Sequence, residues 1–424
     1  MEKVKLLVPV ANKSTTQILQ QCLLMAEQQG LAIEHIQLGI SPTDGFILEN
    51  DRSATRFQTD CFELLEQTAV GEDEWVMVYH SDPTSITELS ALKPRTVLLG
   101  VSDVEQRLDI WRHPITGENR ALSSYVSQTE VEFEKERHFC WLLALLALDF
   151  PIEDSLTLAR ALTNVSRETW PSEFSQFPIP VIEDQRLGIQ VGWKVANKSV
   201  AFPTLSKQSL GLYPVVDDVA WIEKLLPLGI NTIQLRIKDT HQADLEQQVV
   251  RAIELGRKYN AQVYINDYWQ LALKHGAFGV HLGQEDIEES NLSQLSNANI
   301  SLGLSTHGYY ELLRIVQIQP SYIALGHIFP TTTKQMPSKP QGLVRLALYQ
   351  KLIDSIPYGD VKGYPTVAIG GIDLSNAQQV WHCGVSCLAV VRAITLADNP
   401  KQVIDSFRQI MSLSEPQGES CVAG

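Results

Sequence analysis

The chain has 424 residues, which is too long for one average domain and suits two or three. Its formal net charge of −15 argues against a broad nucleic-acid surface, because binding phosphates needs clustered Lys and Arg. The longest apolar run, CWLLALLALDF at 140–150, is too short to span a membrane, and the first residues lack the pattern of a secretion signal.

The first part of the chain, which we bound at 1–205, predicts a separate α/β domain. Two apolar helices flank Phe150-Pro151, because the residue before a proline disfavours helical geometry. A small hairpin is expected within 171–210. The predicted strands are KLLVPV, HIQLGI, WVMVYH and TVLLGV, with the helix QILQQCLLMAEQQG between the first two.

The second part, bounded at 206–415, alternates short β-branched runs with longer amphipathic stretches. Continuous apolar strands separated by helices indicate a parallel sheet covered on both faces. Eight such units predict a (β/α)8 TIM barrel, and an open doubly wound sheet is the alternative. The eight strands are LYPVVDD, TIQLRIKD, QVYINDY, GVHLGQED, SLGLSTHG, YIALGHIFPT, TVAIGGID and CLAVVRAI.

Nearly all of these strands end in polar residues, and in a barrel the carboxyl ends of the strands converge on one mouth. Asp267 follows the third strand and Asp286 the fourth, with Asn266 beside them. Two carboxylates suit Mg²⁺, which takes one or two carboxylates plus substrate phosphate oxygens. The alternative is that both aspartates cap the helices that follow.

The second strand carries a row of polar side chains. In QLRIKD, Gln234, Arg236 and Lys238 share one face, because strand side chains alternate. Such a row inside a barrel is costly unless an anion pairs with it, and a diphosphate would do so. Two alternatives stay open: an internal ion pair with Asp217 or Asp218, and a Schiff base on Lys238.

The last three strands end in residues suited to a second anion. Thr331, Thr333 and Lys334 follow strand six and would supply hydroxyls and an ammonium group. Gly371 ends strand seven and Arg392 ends strand eight, and the loops after these two strands are a recurrent phosphate site in barrels. Two anionic groups at one mouth imply two phosphorylated substrates, or one with phosphates at both ends.

Taken in order, these motifs resemble thiamine phosphate synthases, a family of small TIM-barrel enzymes. The resemblance covers about 212–400 and implies an Mg²⁺-assisted reaction. In it, a thiazole phosphate displaces pyrophosphate from an aminomethylpyrimidine diphosphate. The matching stretches are QLRIK, IND, HLGQED, LGLSTH, GHIFPTTTKQMPSKPQG, VAIGGI and VVRAI.

Carried over residue by residue, the resemblance implies that Asp267 and Asp286 hold the metal. Catalytic roles would fall to residues near the departing diphosphate: Arg236, Lys238, Ser305 and Lys334. The two substrates would be bound by residues at six strand ends: Gln234, Arg236, Lys238, Asn266, Ser305, Thr331, Thr333, Lys334, Gly371, Val391 and Arg392.

Two features depart from the family. Where its members usually carry a small residue, often Ser, this chain has Arg392, although a backbone contact with the thiazole phosphate survives that change. The first 205 residues have no counterpart in compact members. The segment FPIEDSLTLARALTNVSRETWP is similar to the closing helices of pyrimidine kinases of the ribokinase fold, but the glycine-rich anion hole is missing. We therefore assign this domain no reaction.

An alternative function is a non-catalytic or tautomerase-type barrel that binds thiazole phosphate. Such proteins are expected to lose the metal carboxylates, whereas Asp267 and Asp286 are both present. The six cysteines form no CxxC pair, which favours reduced thiols in a cytoplasmic protein. A homo-oligomer stays open, and neither a nucleic-acid nor a membrane partner is expected.

Overall fold

The computed structural model describes residues 3–62, 74–79, 94–103, 106–125, 134–193, 201–331 and 339–412. The chain divides into two compact units, one formed by Met1–Lys194 with Gly308–Arg314 and the other by Val195–His307 with Ile315–Gly424. Both units mix helices and strands, which confirms the predicted α/β class. In the described part of the chain, no helix is long and apolar enough to cross a membrane.

In its described residues, the first unit is built on one mixed sheet of nine strands: β1 (Val4–Val8), β2 (Ile36–Ile40), β3 (Phe46–Asn50), β4 (Ala54–Thr59), β5 (Glu74–Val78), β6 (Thr96–Asp103), β7 (Gln106–Arg112), β8 (Asn119–Tyr125) and β9 (Ile179–Pro180). Their order across the sheet is β2-β1-β3-β4-β5-β6-β7-β8-β9. β2 runs parallel to β1, β5 runs parallel to β4 and β6, and the other neighbours are antiparallel. The predicted strands β1, β2, β5 and β6 are confirmed.

In the described part of Met1–Lys194, three α-helices accompany the sheet: α1 (Lys13–Gln28), α2 (Lys135–Ala147) and α3 (Ile152–Thr163). The gap between α2 and α3 confirms the break predicted at Phe150-Pro151. The expected hairpin is also present, with β10 (Glu183–Asp184) antiparallel to β11 (Ile189–Gln190).

The second unit is a closed barrel of eight parallel strands, all at predicted positions: β12 (Leu212–Val216), β13 (Thr232–Leu235), β14 (Gln262–Asn266), β15 (Gly279–Leu282), β16 (Ser301–Thr306), β17 (Tyr322–Gly326), β20 (Thr366–Ile369) and β21 (Cys387–Val390). The ring closes where β21 pairs with β12. A small hairpin, β18 (Pro357–Tyr358) with β19 (Val361–Lys362), precedes β20.

The helices after α3 follow the barrel strands along the chain: α4 (Val219–Leu225), α5 (Leu245–Tyr259), α6 (Trp269–His275), α7 (Asp286–Glu289), α8 (Leu292–Asn297), α9 (Tyr309–Ile315), α10 (Gly342–Ser355), α11 (Ala377–Trp381), α12 (Arg392–Thr395) and α13 (Pro400–Ser412). Most of α9 lies in Gly308–Arg314, the segment that packs with the first unit.

Three tyrosines fill the interior of the barrel. The rings of Tyr213, Tyr264 and Tyr322 are buried, and their centroids lie 5.2 to 6.0 Å apart. Gly303 makes room for one of them, since a Cβ at this position would lie 2.1 Å from the ring of Tyr322. Large side chains thus occupy the centre, as in other packed barrels, and the strand ends are left to form the site.

Candidate active site

A cavity of about 760 Å³ lies at the carboxyl ends of the barrel strands. This volume is typical of sites that enclose small molecules. Ten of the residues predicted from the sequence line it: Gln234, Arg236, Asn266, Asp267, Asp286, Ser305, Thr331, Gly371, Val391 and Arg392. Lys238 is exposed and does not line it, while Thr333 and Lys334 lie outside the described residues.

The two carboxylates reach this cavity from neighbouring strands. Asp267 directly follows β14 and has φ 63, a left-handed conformation that Asp tolerates better than most residues. Asp286 opens α7, and its Oδ2 accepts a hydrogen bond from the Gly283 N–H at 2.9 Å. The cap of α6 is Tyr268, with no side-chain cap hydrogen bond, so that helix does not use Asp267 as its cap.

The donor set fits Mg²⁺ better than a closed, all-protein metal site. Four carboxylate residues line the cavity, Asp267, Glu285, Asp286 and Asp373, and the sequence singled out the first and third. No group of three or more His, Cys, Asp or Glu able to hold a metal is found among the described residues. Mg²⁺ is usually held by one or two carboxylates and completes its shell with water and substrate phosphates. Asp267 and Asp286 therefore suit an ion that a phosphorylated substrate helps to bind.

Arg236 supplies positive charge to the same cavity. It lies just past β13, and its backbone N–H donates to Val216 O at 2.7 Å. Within the described ranges, its half-buried guanidinium makes no hydrogen bond or ion pair. The alternative ion pair with Asp218 is not formed, because that carboxylate accepts from the Ala220 N–H at 2.6 Å and caps α4. An anionic ligand would supply the missing partner.

Two neighbouring amides lie deeper in the cavity than Arg236. The Gln234 side-chain amide donates to Asn266 Oδ1 at 3.3 Å, and both residues are buried. This contact fixes the two side chains relative to each other across adjacent strands. Their remaining donors and acceptors suit the polar edge of a heterocycle.

A glycine-rich turn lines the opposite side of the barrel mouth. Gly371 follows β20 with φ 67, and a Cβ here would lie 2.8 Å from both Phe329 Cβ and Pro330 O. Only glycine fits this close approach without displacement. Val391 and Arg392 follow β21, and Arg392 is exposed where α12 begins. Backbone N–H groups and a guanidinium at one edge suit a phosphate.

A set of polar side chains behind Ser305 was not predicted from the sequence. His281 Nε2 lies 2.8 Å from Ser305 Oγ, and His281 Nδ1 lies 2.8 Å from the Tyr322 hydroxyl. The available signal was the alternation in GVHL, which turns His281 inward between the buried Val280 and Leu282.

A second histidine at the mouth was also missed. His327 is buried and lines the cavity, and burial together with nearby His307 lowers its pKa. Its imidazole is therefore neutral near pH 7.

The family model and the curated relatives that match the barrel name the same family. A family model described as thiamine monophosphate synthase matches residues 212–394. The thiamine-phosphate synthase of Yersinia pestis (strain Pestoides F) is 54% identical over 198 residues, which cover 47% of this chain and 88% of that protein. That of Klebsiella pneumoniae is 55% identical over 199 residues, covering 47% and 90%.

A solved structure, thiamine phosphate pyrophosphorylase from Pyrococcus furiosus, is 28% identical with a TM-score of 0.42, covering 48% of this chain and 96% of that one. The family match does not extend to the first unit, so the similarity of that unit to pyrimidine kinases stays a prediction.

Proposed function

This chain belongs to the thiamine phosphate synthase family, and we propose that its barrel joins a pyrimidine diphosphate to a thiazole phosphate at the cavity described above. The enzyme is a transferase of thiamine biosynthesis. The observation that carries the proposal is the convergence of three features on one cavity: the carboxylates of Asp267 and Asp286, a guanidinium with no partner among the described residues, and a glycine-rich turn. These groups suit a metal-bound diphosphate and a second phosphate.

The pyrimidine diphosphate would bind on the side of β13 and β14. Asp267 and Asp286 would hold Mg²⁺, which when bound would neutralise charge on the diphosphate. Arg236 would pair with the diphosphate oxygens, and the amides of Gln234 and Asn266 would fix the pyrimidine edge. From the family resemblance, Lys238 and Lys334 would add charge near the departing group.

The thiazole phosphate would bind on the opposite side of the mouth. The backbone around Gly371 and Val391 would donate to its oxygens, and the Arg392 guanidinium would add charge. Thr331, with Thr333 by resemblance, would lie between the two anions. This arrangement would aim the thiazole nitrogen at the pyrimidine methylene carbon.

The chemistry would be a dissociative substitution with no covalent enzyme intermediate. As the carbon–oxygen bond to the diphosphate breaks, negative charge grows on the leaving group while the pyrimidine carbon becomes cationic. Arg236 would stabilise the growing negative charge, because a preorganised cation in a partly enclosed site acts more strongly than in water. The thiazole nitrogen then forms the new carbon–nitrogen bond, and pyrophosphate leaves.

The activity would reside in residues 206–415, with no reaction assigned to 1–205. The described cysteines Cys22, Cys61, Cys140, Cys383 and Cys387 are free thiols, which suits a reducing cytoplasm.

The test is a coupled assay of the full chain with both phosphorylated heterocycles, with and without Mg²⁺. We expect thiamine phosphate and pyrophosphate in equal amounts, only with the metal. Asp267→Asn, which tolerates the left-handed backbone, should lower turnover at least about 100-fold at unchanged melting temperature. Asp405→Asn on the exposed face of α13 is the matched control. Binding of thiazole phosphate without turnover would overturn the proposal in favour of a non-catalytic barrel.

A further inference from the structure

A line of hydrogen bonds crosses the barrel interior and ends at Ser305. The Tyr213 and Tyr322 hydroxyls lie 3.0 Å apart, the Tyr322 hydroxyl lies 2.8 Å from His281 Nδ1, and His281 Nε2 lies 2.8 Å from Ser305 Oγ. These four residues come from β12, β17, β15 and β16. The His281 ring also stacks on Tyr322, with an interplanar angle of 19°.

Both phenols at the inner end keep their protons near neutral pH. Tyr213 and Tyr322 are buried, and burial raises the pKa of each well above its ordinary value. Each hydroxyl therefore has one hydrogen to donate. All four residues line the cavity, but Tyr213 and Tyr322 are only 2% and 0% exposed, whereas His281 and Ser305 are half-buried. A ligand in the cavity therefore reaches the Ser305 end of the line most readily.

The hydrogen bonds along this line can all point toward Tyr213 or all point toward Ser305. The two arrangements differ in which end residue keeps a hydroxyl hydrogen that no member of the line accepts. If Ser305 donates to His281, then His281 donates to Tyr322 and Tyr322 donates to Tyr213. Among the described residues, the Tyr213 hydroxyl has Tyr322 as its hydrogen-bond partner. The Tyr213 hydrogen would then lie on a side chain that is only 2% exposed, with no acceptor among the described residues. If Tyr213 donates outward, each interior hydrogen has an acceptor and the last one lies on Ser305 in the cavity. A buried donor without an acceptor is costly, so the outward direction is favoured.

We propose that Tyr213 and Tyr322 hold His281 in the tautomer that donates from Nε2, so that Ser305 presents its hydroxyl hydrogen to the substrate. This inference rests on the proposed function and deepens it. The group recognised is a hydrogen-bond acceptor of the pyrimidine diphosphate. Ser305 makes the contact, while His281, Tyr322 and Tyr213 are positioning residues that act through it.

The tautomer can be read without turnover. In protein with ¹⁵N-labelled histidine, His281 should show a bare Nδ1 and a protonated Nε2, with its signals identified by their loss in His281→Gln. Tyr322→Phe keeps the stacked ring but removes the donor to Nδ1, so the signals should shift toward the other tautomer. Tyr264→Phe is the matched control, because its hydroxyl contacts Ser301 at 2.8 Å in the same interior and lies outside the line. The opposite tautomer in the unmodified protein would overturn the proposal.

A double-mutant cycle tests the link to substrate. Tyr322→Phe should lower kcat/KM for the pyrimidine diphosphate about tenfold, the effect of one lost hydrogen bond to an ionised group. In a Ser305→Ala background the same change should have no further effect, because the hydroxyl that it orients is gone. Tyr264→Phe should stay within about twofold of the parent. If Tyr322→Phe folds poorly, Tyr213→Phe replaces it and should give a loss of the same sign.

Two results would contradict the proposal: equal losses with and without Ser305, or a loss in Tyr264→Phe as large as in Tyr322→Phe. Failure of the proposed function is a separate outcome. It would appear as no product from the unmodified protein, while the histidine signals would still report the tautomer.

Discussion

The two units differ in how a buried or half-buried charge is compensated. In the first unit, Asp109 and Arg160 are 2% and 3% exposed and face each other. Arg160 Nε donates to Asp109 Oδ2 at 2.8 Å, a second N–H donates to Oδ1, and the Gly100 N–H also donates to Oδ1 at 2.8 Å. In the barrel, the guanidinium of Arg236 faces a cavity with no such partner among the described residues.

This difference separates structural charges from functional ones. A buried charge whose partners lie in the same unit is compensated in the absence of any ligand, and it contributes to the fold. A charge at a strand end that faces a cavity without a partner is compensated only when an anion binds. Residue type alone does not distinguish Arg160 from Arg236; the location of the partner does.

The largest effect is expected from breaking the buried pair. Asp109→Ala would leave the Arg160 guanidinium uncompensated and should lower the free energy of unfolding of the first unit by about 3–5 kcal/mol. Denaturant unfolding followed by tryptophan fluorescence measures it, since Trp111 and Trp141 are buried in this unit. Asp109→Leu combined with Arg160→Met should recover most of the loss. If Asp109→Ala is as stable as the parent, the pair does not hold the fold.

Removing the barrel cation should affect catalysis and leave stability unchanged. Arg236→Gln should lower kcat/KM about 100- to 1,000-fold, because a donor aimed at the developing charge is lost. Steady-state kinetics with the pyrimidine diphosphate, together with melting temperatures, measure both quantities. Arg251→Gln, which removes an exposed guanidinium paired with Glu223, is the control and should change neither kcat/KM nor the melting temperature appreciably. If Arg236→Gln lowered the melting temperature as much as Asp109→Ala, Arg236 would be a structural charge like Asp109, and the proposed difference between the two units would be wrong.

A smaller, pH-dependent effect is expected from Asp154 in the first unit. This buried carboxylate accepts a hydrogen bond from the Tyr310 N–H at 2.9 Å, and burial raises its pKa from 3.8 to about 7. Between these values the folded state binds more protons than the unfolded state, so stability falls as pH rises from about 4 to 7. Asp154→Asn should remove a slope of up to about 1.4 kcal/mol per pH unit.

Unfolding free energies of parent and Asp154→Asn at pH 5, 6, 7 and 8 measure this slope. The difference between them should change steadily up to pH 7 and then level off. Parallel curves would mean that Asp154 has an ordinary pKa in the folded state.

The barrel was predictable because its strands carry strong local signals: continuous β-branched runs, each followed by polar residues. The strands of the first unit were harder to predict from the sequence. Strands β3, β4, β7 and β8, for example ATRFQT and QRLDIWR, mix polar and apolar residues as half-buried antiparallel strands do, and this signal is weak.

Contacts between side chains that are distant in the sequence were also not predicted. The contact of Asp109 with Arg160 and the line from Tyr213 to Ser305 join residues tens of positions apart. The sequence predicted that polar residues would meet at the barrel mouth, because parallel strands share one direction. It did not predict which inward-facing side chains would bond to each other, since that depends on the register and on the packing of large rings such as Tyr322.

The most direct measurement is anomalous diffraction from crystals of the full chain grown with Mn²⁺, a substitute for Mg²⁺, and pyrophosphate. We expect one manganese peak within bonding distance of carboxylate oxygens of both Asp267 and Asp286, with a pyrophosphate that contacts both the metal and Arg236. A metal peak bound elsewhere, or pyrophosphate held away from Arg236, would contradict it.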